Sequence, residues 1–300
     1  MQGLLLLNKP KGITSFSAVS SVKRNACQKR VGHTGTLDPM ATGVLPVLLG
    51  RATALSSLML DADKRYIAKI KLGVTTDTED ITGRVLTENK VDITPEQLEA
   101  SLTHFTGKIS QRPPMYSALK KDGVRLYDLA RKGQVVEIPE REIEIFSIKL
   151  LSPMDTQNCF TVETHVSKGT YIRSLARDIG EYLGCGATLA ELKRTYAAGF
   201  DIDDCVDLEK INPQNICEYI LSEETAVKHL REVYITPNQA VRFCNGGQLD
   251  FDRLHIENIL ENELFRVKCN GEFLGVGFAD IPNSRMGIKC IINFFKAVQK

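Results

Sequence analysis

The first group with chemical potential is a carboxylate in a glycine-rich loop, within GHTGTLDPMATGVLPVLLGRAT at positions 32–53. Asp38 is the first acidic residue of the chain, and residues 1–37 hold six Lys or Arg side chains. Positive surroundings keep a carboxylate ionised, so Asp38 could act as a nucleophile or a general base on an anionic substrate. Asp followed by Pro is also a common turn, and local physics by itself favours a turn residue.

The composition is that of a globular protein, with 300 residues of which 43% are hydrophobic and 25% charged. A chain of this length forms one large domain with a small one, or two domains. It has no apolar run near the ~18 residues that a membrane helix needs. Its N-terminus has a run of four leucines without a small-residue cleavage site. We therefore expect a soluble, cytoplasmic protein with no signal peptide and no membrane partner.

Motifs for metals and cofactors are absent from the sequence. None of the eight cysteines forms a CxxC pair, and none of the five histidines forms an HxxxH pair. The phosphate-binding pattern GxxxxGK[ST] and the dinucleotide pattern GxGxxG are also missing. We expect no metal, no cofactor, and cysteines that serve as reduced, small apolar residues.

Charge is segregated along the chain although the net charge is only +1. Residues 101–136 add seven basic side chains against two acidic ones to the basic N-terminal segment. Residues 201–224 reverse this, with eight acidic side chains and one lysine. Such a distribution can present a basic face to a polyanion, although charge alone is also explained by an ordinary solvated surface.

The hydrophobic pattern predicts an α+β fold with a mixed, largely antiparallel sheet flanked by helices. A helix begins after Thr14 or Ser15 and ends near Cys27, with a buried face formed by Phe16, Val19 and Val22. A boundary at about 205–230 precedes a compact, β-rich module. The other predicted elements are strands at 4–7, 65–73, 142–151 and 160–168, helices from Ala52, from Pro95 and over 170–184, and a hairpin at Asn270-Gly271.

Several long motifs together resemble the TruB-type tRNA pseudouridine synthases. They are NKPKGITS at 8–15, the loop at 32–53, DKRYIAKIKLGVTTDTED at 63–80, PPMYSALKKDGVRLYDLARKG, and SKGTYIRSLARDIGEYLGCGATLAELKRTYAAGF. They follow the family in order and spacing from about residue 3 to 210. The resemblance implies a pseudouridine synthase catalytic domain over 1–230. It also implies a small, β-barrel-like PUA-type RNA-binding module, degenerate in sequence, over 231–300.

The resemblance assigns the catalytic roles to three residues. Asp38, in GHTGTLD, falls on the catalytic aspartate of the family, and Arg173, in SKGTYIR, on the arginine paired with it. Tyr66, in DKRY, falls on the tyrosine that stacks on the target uracil and is proposed to remove its C5 proton. Each has an ordinary alternative when taken singly: Tyr66 could be edge packing, and Arg173 a surface charge facing Asp178.

Substrate-binding roles are implied for five further residues. Tyr171 lines the pocket beneath the catalytic pair, and His33 meets the region of the flipped-out nucleotide. Leu192 and Arg194, in LAELKRT, fall on the last pocket motif of the family. Lys9, in NKPKG, is expected to brace the catalytic loop.

The function implied is isomerisation of uridine to pseudouridine at position 55, in the T loop of tRNA, without cofactor or metal. The partner is then the T arm of tRNA, and we expect a monomer. Two alternatives stay open: a non-catalytic RNA-binding protein, and a guide-RNA-dependent synthase. The chain starts close to NKPKG and has no Lys-rich tail, which favours a stand-alone enzyme. A covalent adduct and a glycal intermediate are equally compatible with the sequence.

Overall fold

The chain consists of strands joined by short helices and turns. The computed structural model describes residues 1–281, except 118, 122, 132 and 135, and the backbone of residues 287–293. Its helices are α1 (Ser15–Asn25), α2 (Ser56–Leu60), α3 (Pro95–His104), α4 (Leu126–Arg131), α5 (Ile172–Tyr182) and α6 (Pro237–Cys244). Its strands are β1 (Gly3–Lys9), β2 (Val31–His33), β3 (Thr42–Leu49), β4 (Lys64–Leu72), β5 (Val74–Thr76), β6 (Val85–Glu88), β7 (Gly107–Gln111), β8 (Lys120–Lys121), β9 (Val124–Arg125), β10 (Arg141–Ser152), β11 (Cys159–Val166), β12 (Ala187–Ala197), β13 (Phe200–Asp201), β14 (Val206–Asp207), β15 (Ile220–Leu221), β16 (Arg231–Tyr234), β17 (Leu249–Asp250), β18 (Leu264–Cys269), β19 (Glu272–Ala279) and β20 (Gly287–Asn293).

The largest sheet has eleven strands in the order β14-β1-β3-β12-β4-β11-β10-β7, with β2 on β3, β13 on β12 and β15 on β1. Its pairs are antiparallel except β1 with β14 and β3 with β12. The predicted α+β fold with a mixed, largely antiparallel sheet is confirmed.

Alternation along β4 explains why the middle of this sheet has one apolar face. Tyr66, Ala68, Ile70 and Leu72 are buried, while the residues between them are only partly buried. Successive side chains of a strand point to opposite faces, so the buried set faces the core that helices α1, α3 and α5 cover. The predicted strand at 65–73 is confirmed, with its start at Lys64.

Helix α1 begins where the sequence predicts but buries a different face. Thr14 caps it by accepting a hydrogen bond from the backbone N–H of Ser17 at 3.0 Å. The prediction that Phe16 is buried is wrong, because this side chain is 78% exposed. Ser15 takes the inward position instead, since its hydroxyl binds the backbone of Leu37. The buried stripe is therefore Ser15, Ala18, Val19 and Val22.

Two other predicted helices have different bounds in the structure. The helix expected from Ala52 is a 3₁₀ turn over Gly50–Leu55 followed by the single short helix α2. The helix expected over 170–184 starts at Ile172, because Tyr171 has extended backbone, and Gly184 at φ +76° follows its end. The helix predicted from Pro95 is confirmed, with a capping box at its start.

A second sheet follows residue 230, in the order β16-β18-β19-β20-β17. The predicted hairpin at Asn270-Gly271 joins β18 to β19, and both turn residues have positive φ, as a tight hairpin turn needs. The sheet is open among its described strands, so the predicted barrel-like shape is not confirmed. The rest of the predicted module, 282–286 and 294–300, lies outside the described residues.

Apolar side chains join the second sheet to the first. Val276 of β19 belongs to one buried cluster with Leu4, Leu6 and Leu48 of strands β1 and β3. These β1 side chains alternate with Leu5 and the others that face the main core, so both faces of β1 are covered. The continuous apolar run LLLL reflects this two-sided burial.

Gly43 and Gly107 provide a matched test of the junction between β3 and β12. Both have positive φ, +107° and +103°, so alanine strains the backbone equally, at ~1–3 kcal/mol. A Cβ at Gly43 would lie 2.1 Å from the carbonyl oxygen of Arg194, whereas nothing lies within 4 Å at Gly107. We expect Gly43→Ala to lower the free energy of unfolding by ~1–3 kcal/mol more than Gly107→Ala, measured by urea denaturation. Equal losses would show that the junction adapts freely.

Candidate active site

An ion pair between Asp38 and Arg173 forms the centre of the site. Arg173 Nε lies 2.9 Å from Asp38 Oδ2, and Nη2 donates to Oδ1 at 3.3 Å. The side chain of Arg173 is 5% exposed, while that of Asp38 is 34% exposed. Two parallel contacts fix the plane of the carboxylate, and its remaining surface faces outward. Asp178, the alternative partner of Arg173, is bound by Arg177 instead.

Backbone carbonyls complete the coordination of the Arg173 guanidinium. Nη1 donates to the carbonyl of Thr78 at 3.1 Å, and Nη2 donates to that of Tyr116 at 2.9 Å. A buried guanidinium needs such acceptors, because unpaired N–H groups in the interior are costly. Sequence reasoning missed Thr78 and Tyr116, since a carbonyl acceptor leaves no signal in residue type.

The turn after β5 is built to hold the Thr78 carbonyl in place. Asp80 is 6% exposed, and its Oδ1 accepts hydrogen bonds from the Thr78 hydroxyl at 3.0 Å and the Thr82 N–H at 2.9 Å. Glu79, at φ +63°, binds Arg177 and accepts from the Ser174 hydroxyl at 2.9 Å. The turn is thereby tied to helix α5, which also carries Arg173.

Two buried cations form hydrogen bonds with backbone carbonyls in and near the loop of Asp38. Arg194 is 1% exposed, and it donates from Nε to the carbonyl of Val44 at 2.8 Å and from Nη2 to that of Gly35 at 2.9 Å. Lys9 is fully buried, and its ammonium donates to the carbonyls of Pro10 and Ile13 at 2.8 Å. Both predicted binding residues are thus placed to support loops around Asp38.

The turn before helix α1 packs directly on the same loop. The hydroxyl of Ser15 donates to the carbonyl of Leu37 at 2.9 Å and accepts from the Leu37 N–H at 2.8 Å. The N–H of Gly12 donates to the carbonyl of Pro39 at 2.8 Å. Asp38 is therefore anchored through the residues on both of its sides.

Tyr66 and Leu192 lie in neighbouring strands of the central sheet. Tyr66 pairs with Arg194 across β4 and β12, and Leu192 pairs with Ala68 in the same ladder. Tyr66 is 7% exposed and Leu192 8%. Because Arg194 also holds Gly35, the strand of Tyr66 is linked through one residue to the loop of Asp38.

Tyr171 precedes helix α5 and is held by a side-chain amide. Gln111 accepts from the Tyr171 N–H at 2.9 Å and donates to its carbonyl at 3.1 Å. The Arg141 guanidinium carbon lies 4.8 Å from the centre of the tyrosine ring. His33 ends strand β2, and its buried Nδ1 has no hydrogen-bond partner among the described residues. Gln111 and Arg141 were not found from the sequence.

Burial and neighbouring charges act in opposite directions on Asp38. Burial raises the pKa of its carboxyl, Arg173 opposes the rise through charge and hydrogen bonding, and the nearby charge of Asp80 adds to it. Burial also lowers the pKa of Lys9 to about 8, against the attraction of Asp38. The pKa of His33 is lowered by burial and by the charge of Arg194, which favours the neutral imidazole. The site thus holds one directed, partly buried carboxylate.

Within the described part of the chain, no group of three or more His, Cys, Asp or Glu is placed to hold a metal ion. Among the same residues, none of the helices combines the length and the apolar character needed to cross a membrane.

The fold thus brings one aspartate of a glycine-rich loop against a buried arginine of helix α5. A chain of the solved structure described as "Crystal Structure of a Cbf5-Nop10-Gar1 Complex" superposes with a TM-score of 0.74 at 26% identity. The match covers 98% of this chain and 85% of that chain. A chain of the "archaeal box H/ACA sRNP Nop10-Cbf5 complex" superposes with a TM-score of 0.71 at 25% identity, covering 98% and 86%.

Residues 23–172 match the model described as TruB family pseudouridylate synthase (N terminal domain), and residues 173–238 match tRNA pseudouridylate synthase B C-terminal domain. The tRNA pseudouridine synthase B of Clostridium tetani is 44% identical over 92% of this chain and 95% of its own length. That of Azoarcus sp. is 43% identical over 92% and 91%. The chain belongs to the TruB family of pseudouridylate synthases, so it is an isomerase of RNA modification.

Two charge-removing changes should move the titration of Asp38 in opposite directions. Asp80→Asn removes a like charge, so the pKa of Asp38 should fall and its carboxylate should persist to lower pH. Arg173→Gln removes the opposing cation, so the pKa should rise and ionisation should require higher pH. The measurement is ¹³C NMR of the labelled Asp38 carboxyl, with Asp92→Asn as a surface control. Shifts of the same sign in both variants would contradict the electrostatic description.

Proposed function

We propose that this enzyme converts uridine to pseudouridine at position 55, in the T loop of tRNA, and that Asp38 is its catalytic carboxylate. The observation that carries this proposal is the bidentate pair of a partly exposed Asp38 with a buried Arg173. The names of relatives that are 41–44% identical over most of the chain support tRNA as the substrate. The motif around Asp38 supports its role.

The reaction is an isomerisation and needs no external oxidant or reductant. The C1′–N1 glycosidic bond breaks, the uracil rotates, and a C5–C1′ bond forms. C5 loses its proton and N1 is protonated, so the atoms balance. The carboxylate of Asp38 can add to C1′ or to the base, or can remove a ribose proton to give a glycal. Each route needs the ionised, directed carboxylate that Arg173 stabilises.

The surrounding residues then divide between binding and support. Extracting the uridine from its stack costs a few kcal/mol, and stacking on an aromatic ring worth ~1–3 kcal/mol offsets it. We assign that stacking, and the final removal of the C5 proton, to Tyr66. Tyr171, Leu192 and His33 line the pocket of the flipped nucleotide.

Arg194 and Lys9 support the pocket from beneath. Arg194 donates to the carbonyls of Gly35 and Val44, Lys9 donates to those of Pro10 and Ile13, and both side chains are buried. The positive charge of Lys9 also acts on Asp38, since it lowers the pKa of that carboxyl.

We assign residues 1–230 to the catalytic domain and residues 231–300 to a PUA-type RNA-binding module. The open sheet after residue 230 and its apolar contact with β1 and β3 support a small unit docked firmly on a larger one. Arg266 and Lys268 in β18 are bound to Glu224, so their charges are directed to the contact between the two units. The enzyme acts as a cytoplasmic monomer in this proposal.

A guide-RNA-dependent mode is the second candidate, because the similar solved structures come from complexes with further protein subunits. The name of the Clostridium tetani relative, tRNA pseudouridine synthase B, favours direct action on tRNA, and the match covers 95% of that enzyme at 44% identity. Incubation of the purified protein with an unmodified tRNA transcript alone, followed by mapping of pseudouridine, distinguishes the two. Product that appears only with added guide RNA and subunits would establish the second mode.

Asp38→Asn should abolish pseudouridine formation while RNA affinity stays close to that of the wild type. The amide keeps the size and most hydrogen bonds but removes the negative charge, and loss of such a group costs several powers of ten in rate. The measurements are single-turnover product formation and the Kd for the tRNA transcript. Asp92→Asn, at a side chain 91% exposed, is the matched control. Appreciable turnover by Asp38→Asn would overturn the assignment.

Tyr66→Phe separates stacking from proton transfer. The ring remains, so the variant should bind the RNA and break the glycosidic bond. Without the phenol oxygen it should stall before pseudouridine is released. Tyr66→Leu should also weaken binding, by about the worth of one stacked base, ~1–3 kcal/mol. Tyr182→Phe, at a ring 51% exposed on helix α5, is the control. Wild-type turnover by Tyr66→Phe would remove the tyrosine from the mechanism.

A further inference from the structure

Residues 11–16 comprise the turn before helix α1 and its first two residues, and they lie beside the loop of Asp38. Its contacts reach the residues on both sides of the carboxylate: Ser15 binds Leu37, and Gly12 binds the carbonyl of Pro39. Consecutive Cα atoms are ~3.8 Å apart, so Phe16 sits one residue from an anchor of the catalytic loop. The segment is therefore fixed next to the residues on both sides of Asp38.

The side chain of Phe16 projects from this segment into solvent. Its side chain is 78% exposed, the largest fraction among the exposed large apolar residues that the structure describes. A single exposed apolar side chain is ordinary, so exposure alone decides nothing. The position of Phe16 is more informative than its exposure. Ser15 fixes the rotation of α1 and so directs Phe16 away from the core. The result is an uncovered aromatic ring on a rigid support.

Lys11, at the other end of this segment, lines a cavity of about 260 Å³. Met40, Ile67 and Leu192 contribute apolar surface to this cavity. Lys69 and Lys193 contribute two further cations, and Glu191 contributes one carboxylate. Lys11 and Lys193 are exposed and have no ion-pair partner among the described residues. Exposed ammonium groups beside apolar surface suit the backbone and bases of a nucleic-acid strand.

We propose that Phe16 and Lys11 bind the RNA strand next to the target uridine, an inference that rests on the proposed function. Phe16 stacks on an unpaired base that flanks the target, and Lys11 contacts a backbone phosphate. When the uridine leaves its stack to reach Asp38, the neighbouring bases lose a stacking partner, and their exposed faces need another aromatic surface. Phe16 supplies that surface at the mouth of the pocket.

The first test is Phe16→Ala, assayed on an unmodified T-arm RNA. We expect KM and Kd to rise about tenfold, which corresponds to ~1.4 kcal/mol and lies within the range for one stacked base, with kcat within twofold. Phe16→Trp, which keeps an aromatic face, should restore both constants. Thermal stability should not change, because the ring is exposed. Phe146→Ala, at another exposed aromatic ring on strand β10, is the matched control and should leave KM unaltered.

The second test is the salt dependence of Lys11→Ala. Loss of one phosphate contact should reduce the slope of log Kd against log salt by ~0.7–0.9. Lys90→Ala removes the same charge from a lysine that is 88% exposed and pairs with Asp92, and it should leave the slope unchanged.

The results separate this inference from the proposed function. Wild-type protein that makes no pseudouridine in the T arm would refute the proposed function, while the Kd values would still test Phe16 and Lys11. Active wild type with unchanged KM and Kd in Phe16→Ala would refute the stacking contact, as would a fall in kcat alone. An unaltered salt slope in Lys11→Ala would refute the phosphate contact.

Discussion

Burial of the Arg173 guanidinium is the constraint on which the rest of the site depends. A cation removed from water is stable only if its N–H groups find acceptors, and removal of any one acceptor leaves a costly vacancy. The acceptors are Asp38, Thr78 and Tyr116, which come from three separate segments of the chain. One side chain of helix α5 thereby brings three loops to a single point.

The unequal exposure of the ion pair suits a reactive carboxylate. Arg173 is 5% exposed, whereas Asp38 is 34% exposed. Desolvation alone would favour the neutral acid, and the adjacent guanidinium opposes it. Burial is the larger effect, so the pKa of the Asp38 carboxyl lies above its ordinary value, and Arg173 limits this rise. Asp80 shifts this balance the other way and at the same time secures the turn that carries Thr78.

The loop of Asp38 is bound by several elements of the fold, through different kinds of contact. Ser15 and Gly12 bind it through the turn before α1, and Arg194 binds it from strand β12. Beneath it, strand β1 is covered on one face by the main core and on the other by the second sheet. The C-terminal unit therefore covers one face of the strand that leads toward the loop of Asp38.

The sequence by itself determined much of the local secondary structure. Alternation defined β4, Thr14 and Pro95 marked the starts of helices, and Asn270-Gly271 marked a hairpin, because each signal acts between residues close in the chain. The motif around Asp38 identified the family and the central carboxylate. Tertiary structure decided what these signals could not: that Ser15, and not Phe16, turns inward, and that the carbonyls of Thr78 and Tyr116 complete the site. Carbonyl oxygens are the same in every residue, so only the folded chain shows which of them a buried arginine meets.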